Sequence, residues 1–188
     1  SDTGLDLRDE DPGHRLLHTG GTEESDSQEI TRHLVSGNMA AAGEAASRIT
    51  DNFDKAVAYK RISLAQTREG DVAGARSTIE MARQATEEIE DHVLKTSAYN
   101  DLAKYQAFTG DISGAQKTVK QAGRAFKYIK ESSPLRSSIR KEIAESEEYV
   151  EEVIRKSQDN TVNRQGFRGN KTDEAKKNVS HILKGMAR

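Results

Sequence analysis

Two six-residue stretches decide the fold: Gly70-Asp71-Val72-Ala73-Gly74-Ala75 and Gly110-Asp111-Ile112-Ser113-Gly114-Ala115. Each sets a glycine, free to take the left-handed conformation that ends a helix, directly before an aspartate that can cap the next one. A third stretch, Gly37-Asn38-Met39-Ala40-Ala41-Ala42, has the same form with asparagine as the cap. The three glycines are 33 and 40 residues apart, the spacing of stacked helix pairs.

Working outward from the glycines, the apolar period becomes helical on both sides. Before Gly70 and Gly110, Tyr59, Ile62 and Gln66 align with Tyr99, Leu102 and Gln106. Six helices are predicted between Ser25 and Lys130: one from Ser25 to Gly37, then Met39–Ile49, Phe53–Glu69, Ala73–Ile89, Val93–Thr109 and Ile112–Lys130. Ser25 with Gln28 three residues on makes a capping-box pattern for the first. A seventh helix starts at Ser133-Pro134, a cap followed by a residue preorganised for the first turn. It carries Leu135, Ile139, Ile143, Val150 and Ile154 on one stripe and should stop near Ser157-Gln158-Asp159-Asn160. A loop including Arg164-Gln165-Gly166-Phe167-Arg168-Gly169 and a short amphipathic helix after Thr172, over about Asp173–Met186, complete the chain.

The aligned residues resemble the tetratricopeptide repeat, or TPR. That family places a large aromatic residue, then a Leu-Gly pair, a tyrosine, a turn glycine, and a second helix with small and bulky residues at spacings of four and three. Tyr59, Ile62-Ser63, Gln66, Gly70, Ala75, Ile79 and Ala82 hold those places once. Tyr99, Leu102-Ala103, Gln106, Gly110, Ala115, Val119 and Ala122 hold them again. Ala42, Ala46 and Ile49 match only a second helix. Glutamine replaces the usual tyrosine in both units, and the usual proline is missing. The resemblance implies an all-α fold of stacked antiparallel helix pairs, a TPR-like right-handed superhelix, with a C-terminal capping helix. It further implies a concave groove lined by the first helix of each pair. The groove-facing places fall on Lys60, Arg61, Leu64, Arg68, Asn100, Asp101, Lys104 and Phe108, a mainly basic set suited to an acidic peptide or a C-terminal carboxylate.

Charge divides the chain of 188 residues into three regions. Residues 1–29 carry a net −7, residues 30–154 a net −1 and residues 155–188 a net +6. The expected organisation is an acidic flexible head over 1–25, a helical repeat domain over 26–157 and a basic tail with a short amphipathic helix over 158–188. Mean hydropathy is −0.83, polar for a compact globule and suited to an elongated helical array. The chain has no cysteine, which excludes disulfides and thiolate chemistry and leaves both cytoplasm and periplasm open for a soluble protein.

The search for chemistry returns little. His14 and His18 have the i, i+4 spacing of metal ligands, with His33 downstream, but they lie in the acidic head without a nearby cysteine. Glu145, Glu147, Glu148, Glu151 and Glu152 read as a solvated helix face rather than acid–base pairs. Gly166-Phe167-Arg168-Gly169 lacks the strand and helix of a phosphate loop. No cofactor, metal or small-molecule substrate is expected, and the negative total charge argues against nucleic acid despite the basic tail. The reading is a protein- or peptide-binding scaffold rather than an enzyme. Its alternative is a regulated binding module whose C-terminal helix docks in the groove or mediates self-association.

Overall fold

The glycine–acid turns do what their chemistry dictates. Gly37, Gly70 and Gly110 adopt φ of 73°, 84° and 91°. At Gly70 the glycine N–H donates to the Thr67 carbonyl (3.1 Å) and the Asp71 N–H to the Gln66 carbonyl (2.9 Å). Gly110 and Asp111 repeat this on Ala107 and Gln106, and Gly37 and Asn38 on Leu34 and His33. These paired bonds satisfy the last carbonyls of the outgoing helix. The next residue then turns its side chain to the incoming helix. Asp71 accepts from the Gly74 N–H and Asp111 from the Gly114 N–H, both at 2.9 Å, and Asn38 accepts from the Ala41 N–H at 3.0 Å. The caps approach closely: a Cβ on Gly74 or Gly114 would lie 2.1 Å from a carboxylate oxygen of Asp71 or Asp111.

A computed structural model describes residues 24–186, of which the 167–186 stretch is described as backbone with the side chains of Lys177 and Lys184. Most of the acidic head, with His14 and His18, lies outside the described residues. So do the side chains of Phe167, Val179, Ile182, Leu183 and Met186. Among the described residues all regular structure is α-helical: α1 (Asp26–Val35), α2 (Met39–Ser47), α3 (Asn52–Arg68), α4 (Val72–Glu87), α5 (His92–Phe108), α6 (Ile112–Phe126) and α7 (Arg136–Met186). The chain divides into two compact units between Ile49 and Thr50.

In the first unit, α1 opens on the capping box expected at Ser25 and Gln28. Its Ile30 is buried, as are Ala42, Ala45, Ala46 and Ile49 from the second helix. Arg48 closes the edge of the pair on Glu29 (2.8 Å).

In the second unit, α3 packs on α4, α5 on α6, and α3 also meets α5. The two pairs run in step at a period of 40 residues. Asp51 and Asp91 cap their first helices, and Tyr59 with Tyr99, Ala75 with Ala115, Ala82 with Ala122 and Ile89 with Ile129 are buried couples. Small residues sit where helices come closest. Ser63, fully buried, donates to the Ala75 carbonyl (2.9 Å), a contact a larger residue would prevent. Helix α7 lays Ile139, Ser146 and Val150 over α5 and α6. Val150 packs with Ala107 and Ala115, and Val119, Tyr149, Val153 and Ile154 surround them.

Two expectations about the C-terminal region need correction. The seventh helix begins at Arg136, two residues after Pro134, because Arg136 is held back by the end of α6. Its guanidinium donates to the carbonyls of Phe126 and Ile129 and lies 4.3 Å from the centre of the Phe126 ring. A cation there meets the negative end of the α6 dipole. The expected break at Ser157–Asn160 and the separate helix from Thr172 do not occur: α7 runs unbroken through Gly166 and Gly169 to Met186. Glycine in a helix interior costs only about 1 kcal/mol, and no proline lies in this stretch to remove a backbone donor. Side chains over 155–166 are exposed throughout.

Candidate functional site

The residues expected to line a groove are distributed over three environments. Lys60 and Asn100, equivalent places on α3 and α5, both face the next first helix. Lys60 reaches Asp101 on α5 at 3.7 Å. Asn100 is buried, 1% exposed, and its Oδ1 accepts from the Ser146 hydroxyl of α7 at 2.8 Å. Asn100 is therefore a contact between helices and not a free surface, a correction to its groove assignment. The physical cause is local. Three residues on, Ala103 is small enough for α7 to close over α5, and Ser97 donates to Glu142 of α7 (2.9 Å) one turn before Asn100.

Asp101 is exposed and shares its charge with Lys60, so that pair contributes little net field. Arg61, Leu64 and Lys104 are half-buried. Arg68, at the end of α3, is exposed, and Phe108, in the last turn of α5, is 67% exposed. Of the expected groove residues, Leu64, Arg68, Lys104 and Phe108 lie toward the C-terminal ends of the two helices and are half-buried or exposed, beside Arg61 and Asp101 nearer the middle.

Between α3 and the second pair lies a polar seam that the sequence does not announce. The Tyr105 hydroxyl sits 3.0 Å from both Ser63 and Thr67 of α3. The two glutamines at equivalent places on α3 and α5 behave differently. Gln106 accepts from the Thr118 hydroxyl at 2.6 Å, whereas the Oε1 of Gln66 is buried without a partner among the described residues. The Nδ2 of Asn100 is likewise unpaired.

One concavity has no counterpart among the sequence expectations. A cleft of about 410 Å³ opens between the end of α4, the start of α5 and the end of α6, lined by Glu87, His92, Lys95, Tyr99, Gln121, Arg124, Ala125 and Tyr128. His92 and Tyr128 stack with ring centres 5.3 Å apart and planes 25° apart. Tyr99 and Ala125 belong to a buried cluster at its base. Tyr99 is visible in the sequence as a core aromatic, but residues 36 apart, such as His92 and Tyr128, carry no local signal of pairing.

Among the described residues no group of three or more His, Asp or Glu side chains could hold a metal. Glu145, Glu147, Glu148, Glu151 and Glu152 of α7 are exposed, and Glu152 is held below its ordinary pKa by its bond to Lys156. No helix among the described residues is long and apolar enough to cross a membrane. No protein-family description, curated protein or solved structure matches the chain.

Proposed function

We propose that the chain is a protein-interaction scaffold of TPR-like helix pairs, which binds an extended acidic segment of a partner across the C-terminal ends of α3 and α5. The observation that carries this reading is Phe108, a large aromatic residue left 67% exposed in the last turn of a well-packed helix. An exposed aromatic with cations nearby is the composition of an interface centre; Lys104 lies one turn before Phe108 on α5, and Arg68 holds the equivalent place in the last turn of α3. Leu64 extends the apolar part. The reading assigns no reaction to the chain.

The test uses a library of acidic peptides with one apolar residue at varied positions, titrated by fluorescence anisotropy. Members that bind should lose about 30-fold or more in affinity on Phe108→Ala, as an interface anchor does. Arg68→Glu should weaken them further, with helicity unchanged by circular dichroism. If no peptide binds below millimolar concentration, or binding ignores both substitutions, the acidic-segment reading is wrong.

A further inference from the structure

The cleft between α4, α5 and α6 is chemically unlike the α3–α5 face. We propose that it is a binding site for an aromatic anion, a planar ring bearing a carboxylate or phosphate, held between the stacked His92–Tyr128 rings and the cations Lys95 and Arg124.

Four features support this assignment. The first is size: an open cleft of about 410 Å³ has room for a ring with its anionic group. The second is charge. Lys95 and Arg124 line the cleft, and among the described residues neither has a carboxylate within ion-pair distance. Glu87, the one carboxylate on the wall, is already engaged by Arg83 at 3.2 Å. Two cations thus face one carboxylate, so the cleft is net positive, with an arginine fork that matches a carboxylate or phosphate.

The third feature is Tyr99. Its residue is 3% exposed, yet it lines the cleft, and among the described residues no group hydrogen-bonds its hydroxyl. Its ring is buried while its hydroxyl reaches the open cleft, so the donor is available to an acceptor that enters. Burial, with the Glu87 charge second, raises its pKa, so it keeps its proton and remains a donor. The fourth is the wall. Tyr128 is 70% exposed but is not loose, because its ring lies against His92. Two stacked rings at a cleft mouth offer a flat face to a third. Gln121 can bond a further polar edge of the ligand.

The same chemistry has two sources: a free aromatic acid or phosphate ester, or the carboxyl end of a peptide whose last residue is aromatic. The experiment is amide and side-chain NMR titration of the full chain with phenyl phosphate, phenol and inorganic phosphate. A pentapeptide ending in phenylalanine, with its carboxyl free or amidated, forms a second arm. Phenyl phosphate should saturate with shifts centred on Lys95, Tyr99, Arg124 and Tyr128. Phenol and inorganic phosphate should each bind at least about tenfold more weakly, since each lacks one half of the recognition. A free-carboxyl peptide that binds tighter than phenyl phosphate assigns the site to chain ends; the reverse assigns it to free small anions. Arg124→Gln should cost about tenfold and Tyr99→Phe several-fold, and the second keeps the buried ring, so the fold is preserved. Saturable binding that survives both variants, or no saturation by any probe, overturns the proposal. Because the cleft shares no residue with Leu64, Arg68, Lys104 and Phe108, either site can fail without the other.

Discussion

The α3/α4 and α5/α6 pairs share one sequence register, one turn device and one set of buried small residues, yet their exposed edges differ. Where α5 covers α3, the contact is a partly exposed ion pair, Lys60 with Asp101, and a hydroxyl seam through Tyr105. Where α7 covers α5, the contact is sealed: Asn100 is buried on Ser146, and Val150 closes over Ala107 and Ala115. The difference teaches that a helical repeat specifies its own turn and inner packing, while each surface is decided by the helix that follows. Equivalent positions acquire opposite roles because α5 and α7 are not equivalent neighbours.

The sharpest way to break the comparison is to overfill both pairs at the same place. Ala115→Leu should destabilise by about 3 kcal/mol, and Ala75→Leu by nearer about 1 kcal/mol, within the usual range for overpacking. Ala115 is fully enclosed beneath Val150, whereas Ala75 borders a small void of about 30 Å³ shared with Thr67, Ile79 and Gln106. Chemical denaturation of the two variants measures both. Equal losses would show that α7 does not seal the second pair.

The sealed contact can be probed by itself. Ser146→Ala removes the one side-chain hydrogen bond that Asn100 makes among the described residues and should cost about 1–3 kcal/mol, the penalty for an orphaned polar group. The double change Asn100→Leu with Ser146→Ala should recover most of it, because no polar atom is then left unpaired. A double variant no more stable than the single one would mean that Asn100 has another partner.

The glutamines offer a smaller contrast. Gln106→Leu should destabilise by about 1 kcal/mol by stranding the Thr118 hydroxyl, whereas Gln66→Leu should be neutral or stabilising, since its Oε1 is already unpaired. Thermal melts of the two variants should therefore shift in different directions or by clearly different amounts.

The smallest effect belongs to the ion pair. A double-mutant cycle on Lys60→Met and Asp101→Asn should give a coupling of about 0.2–1 kcal/mol that fades with added salt. A larger, salt-insensitive coupling would place the pair in a drier contact than its exposure indicates, and the two pairs would then be sealed alike.

Much of the fold was legible because it is written in local terms. Glycine followed by Asp or Asn ends one helix and starts the next through bonds within six residues, so Gly37, Gly70 and Gly110 could be placed from the sequence. Ala75, Ala115, Ile62 and Leu102 could be assigned to the core because helical spacing puts them on one face. The continuous α7 was misread because Ser157–Asn160 and the glycines at 166 and 169 carry weak helix propensity, a prior of a few tenths to one kcal/mol per residue that a long helix can override.

The site was less legible. Lys60 and Asn100 were assigned one role from one register, but a side chain's exposure depends on which helix lies over it. The cleft was invisible because His92 and Tyr128 meet only after α5 and α6 have folded back on each other. The sequence by itself determined the helices, their turns and the small residues between them, since these follow from backbone hydrogen bonding and from a period of 3.6 residues. Tertiary structure alone decided that Asn100 is sealed, that Lys60 is paired and that Tyr99 faces an open cleft, because burial and charge pairing are properties of what packs against a residue and not of the residue.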